Sequence, residues 1–122
     1  MRDLGSERYV SLATFRKNGR EVRTPVWIAR EGARLYVWTN RTSGKVKRLR
    51  ANRSVRLAPC DARGKLRGDW VEGRARLLES PEELERGLET VIRKYGWQMR
   101  LALFASRLTG RYAQRAVIEI EL

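Results

Sequence analysis

Between Tyr9 and Asn40 the residues fall into three short apolar or alternating runs, each closed by a turn signal, and this punctuation constrains the chain more than any other feature. Tyr9, Val10, Leu12, Ala13 and Phe15 make the first run. Asn18-Gly19 follows it, the pair that best tolerates the positive φ angles of a tight hairpin turn. A second run, Val22 to Arg30, contains Thr24-Pro25-Val26-Trp27-Ile28. A proline removes a ladder donor and is usually confined to edges or bulges, so the backbone is expected to leave the ladder at Thr24-Pro25. After Glu31-Gly32, the span Arg34 to Asn40 alternates, with Leu35, Val37 and Thr39 on one face and Tyr36, Trp38 and Asn40 on the other.

Thr42-Ser43 can then cap a short helix running to about Ala51, with Val46 and Leu49 spaced to touch a core. Strands are predicted from Ser54 to Cys60 and from about Gly68 to Leu78, separated by the turn at Asp61-Ala62-Arg63-Gly64. Ser80-Pro81-Glu82-Glu83 supplies an N-cap, a proline for the first helical position and a capping-box Glu. Leu84, Leu88, Val91, Ile92 and Tyr95 keep a helical period up to the terminator Gly96. A second helix is predicted over Trp97 to Leu108 and a last strand over Val117 to Leu122. Six strands in 122 residues favour a small closed or half-closed barrel, because closure removes exposed edges. A chain of this length accommodates one core, so a single domain spanning residues 1–122 is expected.

Several chemistries are set aside by composition. The chain has no His and one Cys. A His-based catalytic triad is therefore impossible, Cys60 has no internal disulfide partner, and a transition-metal site lacks its usual donors. Glu21, Glu31, Asp61, Asp69 and Glu72 are dispersed, no acid/base pair stands out, and no catalytic residue is assigned. No stretch approaches the roughly 20 apolar residues that span a bilayer, and Met1-Arg2-Asp3-Leu4-Gly5 lacks the apolar core of a signal peptide. The expected location is the cytoplasm, without membrane attachment.

Charge is uneven. Lys and Arg number 27 against 14 Asp and Glu, a net charge of +13. Ten of the basic residues lie between Arg41 and Arg67, where Asp61 is the one acid. If the short helix begins near Ser43, its free N–H groups, the positive end of its dipole and Lys45 converge, and Gly44 lets an anion approach the backbone. A capped, solvated helix would carry the same local pattern. Trp27, Tyr36 and Trp38 lie on the two preceding strands, where they could hold a planar ring or simply fill the core or a dimer interface. Taken together these features point to a flat ligand with a phosphate tail. The alternative of another class is a non-catalytic module that binds RNA or single-stranded nucleic acid through basic and aromatic groups. It is less favoured, since no nucleic-acid signature is present.

In order and spacing, Tyr9 to Phe15, Thr24-Pro25-Val26-Trp27, Val37-Trp38-Thr39, Ser43-Gly44-Lys45-Val46-Lys47-Arg48-Leu49-Arg50, Leu57 to Asp61 and Gly73-Arg74-Ala75 resemble the pyridoxamine 5′-phosphate oxidase-like split β-barrel proteins. Within them the chain is similar to the class that uses the deazaflavin coenzyme F420. The resemblance covers nearly the whole chain. It implies a mainly β, six-stranded split barrel and a homodimer with cofactor sites at the subunit interface. It also implies an oxidoreductase passing a hydride between F420, or alternatively FMN, and a small-molecule substrate.

By the same resemblance Thr24, Pro25, Val26 and Trp27 would lie along the cofactor ring. Trp38 and Thr39 would lie beside the ribityl chain and phosphate, and Ser43, Gly44, Lys45 and Val46 would form the phosphate turn. Gly44 stands where flavin oxidases often carry Arg. That departure is read as favouring the deazaflavin, whose longer anionic tail Lys47 and Arg48 could attract. The resemblance implies an N-terminal helix before the first strand; with eight residues ahead of Tyr9, that wall of the pocket is expected to be short and the predicted helical pair from Ser80 to Leu108 to compensate.

Overall fold

The computed structural model describes residues 4–40, 43–96, 98, 101 and 115–122. A short 3-10 helix, Leu4–Ser6, precedes β1 (Tyr9–Phe15), β2 (Glu21–Val26), β3 (Ala29–Glu31) and β4 (Arg34–Asn40). Then come α1 (Gly44–Ala51), β5 (Ser54–Cys60), β6 (Val71–Leu78), α2 (Pro81–Tyr95) and β7 (Arg115–Glu121). The strands form one sheet in the order β2-β1-β5-β6-β7-β4-β3, with every neighbouring pair antiparallel. At the β1–β2 turn Gly19 takes φ 85°, and the Arg16 N–H donates to the Arg20 carbonyl at 2.9 Å, as the Asn-Gly signal predicts.

There are seven strands rather than six, because the predicted Val22–Arg30 strand is two. The proline does not break the ladder: Pro25 sits in register with Ser11, and pairing continues to Val10↔Val26. On the edge strand β2 its missing N–H costs nothing when it points away from the neighbour. The break falls instead at Trp27-Ile28, where the chain leaves one edge of the sheet and starts β3 on the other. Seven flat strands would be about 29 Å wide at ~4.8 Å per gap. Two linking residues reach roughly 10 Å, so the sheet has to curl. The result is the half-barrel that the strand count led us to expect.

Two smaller boundaries also move. β6 begins at Val71 rather than near Gly68. The preceding loop is tied back to β5 by the Arg67 N–H on the Pro59 carbonyl at 2.7 Å and by a bridge between Cys60 and Leu66. β7 begins at Arg115, two residues before the predicted start at Val117. The predicted Trp97–Leu108 helix lies almost wholly outside the described residues.

Leu12, Ile28, Val37, Leu57, Ile118 and Ile120 fill the inside of the curl, all fully buried, and α1 closes one end with Val46 and Leu49. α2 covers the outer face of β3, β4 and β7, setting Leu84, Leu88, Val91 and Tyr95 against Ala29, Leu78 and Val117. Gly87 allows this approach, since a Cβ there would lie 2.6 Å from Val117 Cγ1. Among the described residues no helix is long and apolar enough to cross a membrane.

The end of α2 fastens the barrel corner. The Tyr95 hydroxyl accepts the Ile28 N–H at 2.8 Å and donates to the Arg8 carbonyl at 2.7 Å, while its ring stacks on Trp27 at 4.6 Å between centroids. Lys94 Nζ donates to the Gly5 carbonyl at 2.8 Å and to the carbonyls of Glu7 and Ile28. Tyr95→Phe would strand the buried Ile28 N–H and is expected to lower stability by about 1–3 kcal/mol in urea unfolding. Burial pushes the Tyr95 pKa up to about 12. The unfolded chain therefore releases this proton first, and the contribution, complete below pH 10, is lost as pH rises from about 10 to 12. The gap between wild type and Tyr95→Phe should narrow over that window; a gap that stays constant would contradict this role for the hydroxyl.

Candidate functional site

At the end of β4 the inward face ends in Thr39, buried at 8% exposure, and Ser43 follows as the N-cap of α1. Ser43 is extended, and its Oγ accepts the Val46 N–H at 3.4 Å. That Oγ also lies 3.3 Å from Thr39 Oγ1, which ties the helix start to the strand. The cap satisfies one first-turn donor. The N–H groups of Gly44 and Lys45, like those at any helix start, have no intrahelical acceptor. No acidic residue occupies the first turn of α1, so the positive end of its dipole has no counter-charge there.

Cations collect on this turn. Burial lowers the Lys45 ammonium pKa, and the neighbouring Arg48 lowers it further. Arg48 is lowered by burial and then by Arg16, which stands at the end of β1. Among the described residues none of the three forms an ion pair. Mutual repulsion of this kind is relieved by an anion, and the exposed first-turn N–H groups add directional donors for one. Arg16 was not visible in the sequence, being a turn residue 27 positions before Ser43.

The aromatic half of the predicted site divides. Trp27, Tyr36 and Trp38 pack with Ile92 against the outer core under α2, and Trp27 is stacked on Tyr95. β3 pairs with β4 as far as Ala29↔Tyr36, two residues from Trp27 and from Trp38. Val26 is core at 8% exposure and Val46 at 0%; both shape the site by packing. Pro25 and Lys47 are exposed. Thr24 pairs with Leu12 on the inward face.

Two of the predicted residues carry a buried polar atom with no partner among the described residues: Thr24 Oγ1 and Trp38 Nε1. Such orphans are rare, and each commonly marks a place for a missing ligand or water. Thr24 Oγ1 can donate or accept a hydrogen bond and Trp38 Nε1 can donate one, Thr24 beside inward Leu12 and Trp38 in the outer cluster under α2. The backbone at the ladder break offers no further donors or acceptors. Its N–H and carbonyl at Ile28 are both taken by Tyr95 and Lys94, so they are closed to a ligand.

Other groups fall away as chemistry. Burial pushes the Cys60 thiol pKa up, which removes thiolate character. Glu119, a carboxylate that the sequence reading passed over, is 6% exposed. It is held by the Tyr36 hydroxyl at 3.2 Å and by Arg34 and Arg76 at 3.3 Å each, a structural tie under α2. Trp70 lies 4.7 Å from the guanidinium carbons of both Arg23 and Arg56, and each of those arginines binds Glu21.

A family model described as pyridoxamine 5′-phosphate oxidase matches residues 2–122. Among solved structures, a conserved hypothetical protein of Mycobacterium tuberculosis is 25% identical with a TM-score of 0.70, over 95% of this chain and 73% of that one. A heme-storage protein of Vibrio cholerae superposes with a TM-score of 0.67 at 11% identity, covering 95% of this chain and 82% of its own. An F420 reductase does so with a TM-score of 0.62 at 19% identity, covering 97% and 88%. The last two likenesses carry the fold alone. No curated protein sequence matches the chain significantly. The full-length family match, on a curled antiparallel sheet of the split-barrel kind, means that this chain belongs to the pyridoxamine 5′-phosphate oxidase family.

Proposed function

We propose that this chain is a cytoplasmic, homodimeric oxidoreductase that uses coenzyme F420, with the cofactor held between subunits at the start of α1. The observation that carries the reading is the convergence of Lys45, Arg48 and Arg16 on a helix N-terminus with no ion-pair partner among the described residues. Further cations extend it beyond one phosphate: Lys47 is exposed on α1, and Lys17 and Arg20 are exposed on the β1–β2 turn. That is more positive surface than a single phosphate occupies, and it suits a cofactor whose tail carries additional carboxylates. Thr24, Pro25, Val26, Trp27, Trp38, Thr39, Ser43, Gly44 and Val46 would line the remainder.

Bound there, the deazaflavin would supply hydride transfer to or from a small organic substrate. The protein's part is to anchor the phosphate, hold the ring between Thr24 to Trp27 and the end of β4, and exclude water. Orientation of this kind contributes up to roughly 7–11 kcal/mol in favourable cases, so the lack of an assigned acid or base is no obstacle.

FMN is the second reading, favoured by one observation: Arg48 lies over Gly44, so the glycine does not leave the turn short of charge. A nucleic-acid-binding role has less support, because Trp27 is stacked within the fold and Trp70 is engaged by two arginines, which leaves few open aromatic faces for bases among the described residues.

Titration with oxidised F420 at low salt, followed by fluorescence polarisation, should give a saturable change with one site per subunit. A chain that binds FMN but not F420 would transfer the reading to the flavin, and one that binds neither would refute it. Lys45→Ala is expected to weaken binding about tenfold, with stability changed by less than about 0.5 kcal/mol. Lost stability with unchanged affinity would make the turn a helix cap and nothing more.

A further inference from the structure

At position 44 the turn carries a glycine where the family resemblance implies a cation, and the structure supplies that charge from one helical turn further on. Side chains four apart on a helix share a face and lean towards the N-terminus. Arg48 follows that direction: its Nη1 would stand 2.8 Å from a Cβ placed on Gly44, with Cζ at 3.5 Å and Nη2 at 3.6 Å. Any larger side chain at 44 would have to displace the guanidinium. A glycine here is therefore the vacancy that Arg48 fills.

The guanidinium is also held. Its Nε donates to Thr14 Oγ1 at 2.6 Å, and Thr14 is 0% exposed near the end of β1, where its neighbour across the ladder is Val22. With Nε used, Nη1 and Nη2 have no hydrogen-bond partner among the described residues. They face the same helix start as Lys45, and Arg16 lies close enough to disfavour further positive charge. An arginine fixed by its Nε, with its outer amino groups open, presents the fork that binds two oxygens of a phosphate.

We propose that Arg48 is the second phosphate-binding cation of this site, standing in for the side chain that Gly44 lacks, and that Thr14 is the positioning residue that aims it. The proposal rests on the reading of the α1 start as the cofactor's phosphate site, and it deepens that reading. It also changes the ligand class the turn accepts. With Lys45 and Arg48 together, the site takes a phosphate monoester as readily as a diester, and selection between FMN and F420 falls to the cations beyond the turn.

Binding of inorganic phosphate, FMN and F420 is measured by calorimetry for wild type, Arg48→Ala, Thr14→Val, the Thr14→Val/Arg48→Ala double variant and Gly44→Arg/Arg48→Ala. Arg48→Ala is expected to weaken binding of phosphate and of whichever cofactor binds, about ten- to a hundredfold. Thr14→Val alone should cost about three- to tenfold and nothing further in the Arg48→Ala background. Thr14→Ser, which keeps the hydroxyl, should bind like wild type and serves if the valine variant folds poorly.

Gly44→Arg/Arg48→Ala should recover most of the loss, because it returns the cation to position 44. Equal affinity of wild type and Arg48→Ala would overturn the proposal. So would a Thr14→Val cost that is the same in both backgrounds, or a wild type that binds neither phosphate nor cofactor. Arg48-dependent phosphate binding with no binding of either cofactor would support the Arg48 assignment and sink the cofactor reading.

Discussion

The structure depends on a corner two residues long. Trp27 and Ile28 carry the chain from one edge of the sheet to the other, and without that link held in place the seven strands have no reason to curl. A corner that leaves its ladder exposes an N–H and a carbonyl in the interior, which is costly unless both are paired. Tyr95 and Lys94, at the end of a helix that begins at Pro81, provide the pairing and bring in the carbonyls of the N-terminal segment. Three parts of the chain far apart in sequence meet at this point.

What the closure sets up is a juxtaposition. β2, which carries Thr24 to Val26, feeds through the corner into β3, and β3 pairs with the first half of β4. α1 starts just beyond the end of β4, capped by Ser43, whose Oγ lies 3.3 Å from Thr39 Oγ1. Charge then does what packing cannot. Burial, and then a neighbouring arginine, lower the proton affinity of Lys45 and of Arg48, and among the described residues no carboxylate pairs with either, whereas Glu21 and Glu119 are each engaged by two arginines. Cations gathered at a helix start with free N–H groups are an address for an anion.

Much of the fold was legible because its signals are local. Asn18-Gly19 places the hairpin, alternation from Arg34 to Asn40 assigns the inner and outer faces of β4, and Ser80-Pro81 starts α2 where the capping rules put it. The two-residue corner was not legible. Pro25 drew attention to itself as a breaker, but whether a proline breaks a ladder depends on which side of its strand has a neighbour, and that is a matter of topology. The site followed the same division. Ser43, Lys45 and Thr39 are named by a cap and a turn, all within seven residues. Thr14 and Arg16 act through the pairing of α1 with β1, and Thr14 looks in the sequence like one more position in an apolar strand. The i, i+4 spacing of Gly44 and Arg48 was visible throughout, yet its meaning needs the helix that puts them on one face.

The central claim is that an anionic cofactor tail sits on the first turn of α1. Backbone amide and arginine Nε resonances of the labelled protein, followed by NMR during addition of F420, address it residue by residue. The account expects saturable shifts at the amides of Gly44 and Lys45 and at Arg48 Nε, with Thr24 and the Trp38 indole N–H moving at the same ligand concentration. Shifts spread over exposed lysines and arginines at large, with Gly44 and Arg48 unmoved, would contradict it.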